Sequence, residues 1–426
     1  MAPPRVGVAV LSGPVRVLQL YNRRRVWGGE DRMVEALAAL LERHGDEVTT
    51  WVRDNAELGD GVRGKLRAFG SGVYSPSAAR AMRDTLQRVA PDVVHTHNLY
   101  PLFSPSVLVE CRRRGVPVVA HLHSYLLTCP TTFHLHRGRV CERCHGGREY
   151  ACVLQNCRGN LAESAGYALR TAVARRLRLF SDNVTFFIAI SEFAKRLLVG
   201  QGYADEQIVV VPNMVAVPEH AADPSRGEYL AFAGRLSPEK GVDTLLDAAR
   251  LSGLPVRVAA DTADADAVVR RAPRNVTFVG HLDAEHLDAF YRGARALVVP
   301  SIWYEPFGLV VAEAMARGIP VIASRIGALP ELLDDGGCGL LFEAGNAEDL
   351  AAQMARLWSD PEHGRRLGSE GRAKAAREYG AEVYYRRLRE VYARAVRRAG
   401  RPAEAGGDGG PARPRAAPNI TPNVAS

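Results

Sequence analysis

Lysine is scarce in this chain. Of its 55 basic residues only Lys65, Lys195, Lys240 and Lys374 are lysines. The formal net charge of +8 is therefore carried by arginine, scattered along the chain rather than gathered into a stripe, which argues against nucleic acid as a partner. The short runs Arg23-Arg24-Arg25, Arg112-Arg113-Arg114 and Arg175-Arg176 read as solvated faces. The excess positive charge suits an anionic small molecule or an anionic membrane surface equally well. No apolar run reaches the roughly 18–20 residues that span a bilayer. The opening MAPPRVGVAVLSGP lacks the charged start, long apolar centre and cleavage site of a secretory leader. The expectation is a cytoplasmic protein, attached at most peripherally to the inner face of the membrane. No G-x-G-x-x-G follows the first strand, which sets aside an NAD-dependent oxidoreductase. Internal repetition is limited to a twofold recurrence of an α/β pattern.

What is present suits two domains of ordinary size: 426 residues, 47% hydrophobic and 24% charged. Val15–Tyr21, Val48–Val52, Asp92–His95 and Val116–Ala120 read as buried strands with helical patterns between them, one of these running from about Met33 to Arg43. The same grammar restarts at Tyr229–Ala233, Val256–Ala259, Val276–Val279, Ala296–Val299 and Pro320–Ala323. Phe186–Ser191 and Val209-Val210-Val211 lie in the likeliest seam, between 181 and 215. The expected organisation is an extension over 1–14, a first Rossmann-like domain over 15–200 and a second over 201–380. A basic helix over 381–399 is expected to cross back to the first domain. A Gly/Pro/Ala-rich tail over 400–426 reads as disordered.

Three motifs in the second half belong together. Gly234-Arg235-Leu236 with Glu239-Lys240-Gly241 follows a strand, Glu305-Pro306-Phe307-Gly308-Leu309 runs on to Glu313, and Gly318–Ser324 runs on to Gly327-Ala328-Leu329-Pro330-Glu331. Loops at strand carboxyl ends are where open α/β sheets bind ligands. An arginine fork and a lysine ammonium are a natural pair for a diphosphate. Two carboxylates eight residues apart, one on a loop and one in a helix, can accept hydrogen bonds from sugar and ribose hydroxyls. A helix start near Gly308 and Leu309 offers backbone N–H groups to ligand oxygens. Taken singly, each of these groups is more often surface charge or a complement to a helix dipole. That one of four lysines falls in the Arg235 loop, and that the Glu305 loop follows a buried strand, argue otherwise.

From about Val15 to Arg398 the chain resembles the retaining glycosyltransferases of the GT-B fold, family-four type. The Glu305-to-Glu313 motif carries the resemblance most specifically. It implies two Rossmann-like domains facing a central cleft, with a nucleotide diphosphate sugar as donor and an unidentified hydroxyl as acceptor. Under it, Arg235 and Lys240 hold the donor diphosphate, Glu305 binds sugar hydroxyls, and Glu313 binds the ribose. Backbone N–H groups of Phe307, Gly308 and Leu309 grip sugar and phosphate. Gly234 starts the diphosphate loop and Gly280 ends the base-contacting strand. Gly28-Gly29 faces the phosphate from the first domain, and His123 lies near the reacting sugar. Ser124 follows His123, where many relatives have Asp, so no acid partner for His123 is implied. His123, Arg235, Lys240 and Glu305 are the expected catalytic residues. Protein cations take the place of a catalytic metal, and the leaving phosphate helps to deprotonate the acceptor on the front face. Rival readings are a sugar-nucleotide epimerase on the same fold and a non-catalytic sugar-nucleotide sensor.

Five of the seven cysteines fall between Cys129 and Cys157, in an insert expected over 124–160. Cys141-x-x-Cys144 with Cys152 and Cys157 offers four sulfurs to a structural zinc, with Cys129, His134, His136 and His145 as substitutes. Unliganded thiols and disulfides are the alternatives. Tyr167–Phe180 interleaves arginine with apolar residues. It is either a helix for a bilayer surface or an ordinary helix packed on the sheet.

Overall fold

The structure, a computed structural model, describes residues 13–23, 28–58, 72, 74–263 and 265–400. The expected tail beyond 400, most of the extension over 1–14, and Arg24 and Arg25 lie outside the described residues.

Each half folds around a parallel six-stranded sheet. In the first, β1 (Arg16–Arg23), β2 (Glu47–Asp54), β3 (Val93–Thr96) and β4 (Val118–Leu122) come in turn. The insert follows with a short antiparallel hairpin, β5 (Leu135–His136) and β6 (Arg139–Val140). Strands β7 (Phe186–Ala189) and β8 (Ile208–Val210) complete the sheet in the order β2-β1-β3-β4-β7-β8. The second sheet contains β9 (Tyr229–Ala233), β10 (Val256–Ala259), β11 (Val276–Gly280), β12 (Ala294–Val299), β13 (Val321–Ser324) and β14 (Leu340–Phe342). Its order is β11-β10-β9-β12-β13-β14. β3, β7 and β13 are buried along their whole length, the continuous apolar signature of parallel strands covered on both faces. Because β8 pairs with β7, the first sheet runs past the boundary expected at 200.

The helix Ala381–Arg398 returns to the first domain. Its Tyr384, Leu388, Val391 and Tyr392 are buried with Val17, Leu37, Val93 and Ile188. Arg389 Nη1 lies 2.6 Å from Asp46 Oδ1, with the two side chains 7% and 1% exposed. The same carboxylate accepts from the Val15 N–H at 2.8 Å and the Tyr385 hydroxyl at 3.2 Å. One buried carboxylate thus ties the end of the chain to the edge of the first sheet. Among the described residues no helix is long and apolar enough to cross a membrane.

Candidate active site

In each sheet the strand order reverses at one point, and there the flanking loops part to leave a crevice. In the second sheet this point lies between β9 and β12. The loop after β9 carries Arg235 and a 3-10 turn, Pro238–Lys240, ended by Gly241 at φ 69°. A Cβ on Gly241 would lie 1.7 Å from the Pro300 carbonyl oxygen, so only glycine lets this loop lean on the exit of β12. That approach sets Lys240 against the loop after β12: its Nζ lies 2.8 Å from Glu305 Oε2 and 3.2 Å from Oε1.

Glu305 is buried and held from three sides. Besides Lys240, its Oε2 accepts from the Ser301 hydroxyl and from Trp303 Nε1, each at 3.1 Å. Gly327, at φ 61°, packs so tightly beneath that a Cβ there would lie 2.5 Å from the Glu305 backbone nitrogen. Arg235 is 62% exposed and donates to Glu239 Oε1 at 2.9 Å. Glu239 also accepts from Ser237 at 2.6 Å. Lys240 and Glu305 therefore form one unit, with Arg235 beside it on the open side of the same loop.

Gly308 caps the helix Leu309–Ala316 in the left-handed region, φ 96°. The first N–H groups of that helix lack intrahelical acceptors and carry the positive end of its dipole. The Phe307 side chain is buried against Tyr379, so only its backbone is in question at the cleft. Glu313 Oε2 accepts from the Tyr291 hydroxyl at 3.1 Å, and Glu313 Oε1 lies 3.8 Å from Arg32 Nη1 of the first domain. The first domain approaches the same helix at Gly29, where a Cβ would meet Leu309 Cδ1 at 2.8 Å. Gly28 is the N-cap of the helix Gly29–Arg43, and its N–H donates to Asp31 at 2.8 Å. Gly234 follows the last residue of β9, and Gly280 ends edge strand β11 at φ 79°. Glu331 bridges the domains: its carboxylate accepts from the backbone N–H groups of Glu192 and Phe193 at 2.9 and 3.0 Å.

His123 follows the end of β4. Its Nε2 lies 2.9 Å from His97 Nδ1 and its ring stacks on His121 at 4.1 Å. A second imidazole, His97, is thus a direct neighbour of His123. Burial holds His97 and His121 well below the usual imidazole range and lowers His95 to about 3, with His123 adding to each effect.

The insert reaches the same site. Phe133 and Tyr125 pack on Trp303 at ring distances of 5.5 and 6.5 Å, and the Tyr304 hydroxyl donates to Glu142 at 3.0 Å. All seven cysteines are unpaired thiols. Burial, with the neighbouring thiols, pushes Cys144 up to about 12 and raises Cys152 and Cys157. Cys157 Sγ lies 3.9 Å from His136 Nδ1. The stretch Tyr167–Phe180 is not a single helix. The helix spans Leu161–Arg176 and buries Ser164, Ala168 and Ala174, while Leu169 and Leu177 stay exposed. An Asp-x-Asp spelling, against the expectation of none, does occur at Asp264-Ala265-Asp266. Asp264 lies outside the described residues, and Asp266 is 82% exposed beside Arg270 at 3.8 Å.

Residues 218–374 match the family model Glycosyl transferases group 1, and residues 27–217 match Glycosyltransferase Family 4. The D-inositol 3-phosphate glycosyltransferase of Thermomonospora curvata is 30% identical over 358 residues, 78% of this chain and 76% of that one. The chain belongs to the group 1 glycosyltransferases. The phosphatidyl-myo-inositol mannosyltransferase of Mycobacterium leprae is 31% identical over 232 residues, 51% of this chain and 61% of that protein. Among solved structures, sucrose-phosphate synthase from Thermosynechococcus elongatus shares the fold with a TM-score of 0.67 at 21% identity, covering 88% of this chain and 98% of that one. Anabaena HepE in complex with UDP shares it with a TM-score of 0.62 at 19% identity, covering 88% and 99%. The fold is thus GT-B.

Three side chains of this glycosyltransferase's candidate site were not singled out in the sequence: Ser301 and Trp303 on Glu305, and His97 on His123. Trp303 is the nearest to a missed clue, since it is one of only four tryptophans and stands two residues before a motif carboxylate.

Proposed function

We propose that this glycosyltransferase moves a sugar from a nucleotide diphosphate sugar to an acceptor hydroxyl with retention of anomeric configuration, without a metal ion on the diphosphate. The observation that carries the reading is the Lys240–Glu305 pair at the switch point of the second sheet, flanked by Arg235 and the Leu309 helix start. Departure of the nucleoside diphosphate builds negative charge, and cations and N–H groups already in place stabilise it without reorganisation. In this reading the diphosphate draws Lys240 to itself, and Glu305, still held by Ser301 and Trp303, turns its free acceptor capacity to sugar hydroxyls. Glu313 takes the ribose and Gly28-Gly29 closes from the other side. HepE's complex with UDP supports a nucleotide sugar as the donor class. The test is a transfer assay over UDP, GDP, ADP and TDP sugars in excess EDTA, with the product anomer read by NMR. Transfer with retention is expected. Turnover that vanishes in EDTA and returns with magnesium or manganese overturns the metal-free step, and an inverted product overturns retention.

We further propose that Cys141, Cys144, Cys152 and Cys157 hold a structural zinc. Burial raises the Cys144, Cys152 and Cys157 thiols, and a bound zinc would favour their thiolates. Its work here is to stiffen the insert whose Phe133 and Tyr125 brace Trp303. Cys141→Ser is expected to cost bound zinc and thermal stability together. Unchanged zinc and stability in that variant would count against the site.

The exposed apolar residues of the insert and of the helix Leu161–Arg176 with its end are proposed to rest on anionic membrane. Tyr150, Leu154, Leu161, Leu169 and Leu177 are all exposed, at 49–80%, with arginines among them. Exposed apolar side chains beside basic ones suit a headgroup region. Sedimentation with anionic vesicles should show binding that weakens with salt; its absence places the enzyme in free solution.

A further inference from the structure

A second concentration of chemistry lies beneath the first-domain side of the cleft. β3 and β4 each lead into a His-x-His pair, His95 with His97 and His121 with His123. Alternate residues of a strand share a face. The register Thr96↔Ala120, carried one step further, sets His97 opposite His121. His95 lies one pleat back on the same face, towards the helix that carries Tyr392. One ligand-capable nitrogen from each of His95, His97 and His121 lies within 4.8 Å of the other two, and the three residues are 0–5% exposed.

Hydrogen bonding leaves these nitrogens unexplained. Buried polar atoms are almost always partnered, and an orphan costs about 1–3 kcal/mol. Yet Nε2 of His95, Nε2 of His97 and both ring nitrogens of His121 have no partner. The opposite nitrogens of the first two are held: His95 Nδ1 lies 2.6 Å from the Tyr392 hydroxyl, and His97 Nδ1 lies 2.9 Å from His123 Nε2. An outer nitrogen fixed by a neighbour and an inner nitrogen left bare is the arrangement of a metal-ligating histidine, whose outer hydrogen bond sets its tautomer and orientation.

We propose that His95, His97 and His121 form a binding site for one transition-metal ion, of the imidazole-preferring class that zinc represents. The donor set contains nitrogen and no carboxylate, which excludes magnesium and calcium and suits zinc, copper or nickel. Three protein ligands leave a fourth position. The unpartnered hydroxyl of Tyr384 belongs to a ring stacked 6.4 Å from His121, at the border of the site. The metal joins β3 to β4 and, through His95 and Tyr392, ties both to the helix Ala381–Arg398. It is separate from the diphosphate cations and from the sulfurs of the insert.

The experiment is metal analysis and zinc-edge X-ray absorption on the full chain, expressed with added zinc and purified without a histidine tag. The parent protein and Cys141→Ser are measured alike, so the proposal stands apart from the fate of the cysteine site. In Cys141→Ser a zinc with an imidazole shell is expected to persist, with the multiple scattering that histidine ligands produce. In His121→Asn that zinc is lost. A metal-free parent, a shell of sulfur alone, or a folded His121→Asn protein with the parent's zinc content overturns the proposal. The spectrum of the parent needs no variant, so a His121→Asn protein that fails to fold does not shelter the claim.

Discussion

Lys240→Ala is expected to lower kcat/KM roughly 10²–10³-fold, the scale for losing one preorganised charge-stabilising group, while the protein stays folded. The residue lies on a loop, its side chain is 23% exposed, and its partner Glu305 keeps the Ser301 and Trp303 donors when the lysine is gone. The lost interaction grows as the diphosphate leaves, so kcat should fall with kcat/KM rather than KM alone rising. Steady-state kinetics beside a thermal denaturation curve decide it. Near-normal turnover in a folded variant removes the donor site from this crevice. Arg235→Ala provides an internal comparison: its guanidinium is more exposed and already paired with Glu239, so its loss should be the smaller of the two.

Arg389→Ala should destabilise the protein by about 3–5 kcal/mol, the usual cost of leaving one member of a buried ion pair alone. Asp46 would keep the Val15 N–H and the Tyr385 hydroxyl but lose the arginine's charge while still shut from water. A bond from the arginine's Nη2 to the Gly13 carbonyl at 2.7 Å goes with it. Urea unfolding followed on the first domain measures the loss. Asp46→Asn combined with Arg389→Met is expected to recover much of it, because removing both charges ends the penalty. A single variant within about 1 kcal/mol of the parent, the range of exposed pairs, would mean that water reaches Asp46.

The alternating α/β grammar was legible because parallel strands buried on both faces are written as short apolar runs. Tyr229–Ala233 and Val256–Ala259 coincide with β9 and β10, and the other expected strands shift by a residue or two at their ends. β14, Leu340–Phe342, went unread: three residues between glycines and an acidic loop are too short to show any period. The boundary expected at 200 fell short for a related reason. β8 is a brief Ile-Val-Val run whose allegiance to the first sheet is decided by pairing with β7, and pairing leaves no mark in local sequence. The single helix imagined over Tyr167–Phe180 failed on its cap: Asn160 accepts from the Glu163 N–H at 3.0 Å and starts the helix early, and the chain leaves the helix at Leu177.

By itself the sequence determined two parallel α/β domains and the family, and put forward Arg235, Lys240, Glu305 and Glu313 as site candidates. Periodicity and local spacing are intrinsic to the chain. Tertiary structure alone decided which of these residues meet. Gly241 must press against Pro300 before Lys240 can reach Glu305, and Trp303 reaches the same carboxylate while packed against the insert. It also decided that Glu331 bonds the start of the helix Glu192–Gly200, and that three histidines from two strands share one buried point. Those facts depend on which strands are neighbours and on how two sheets face each other, and packing between residues far apart in the chain sets both.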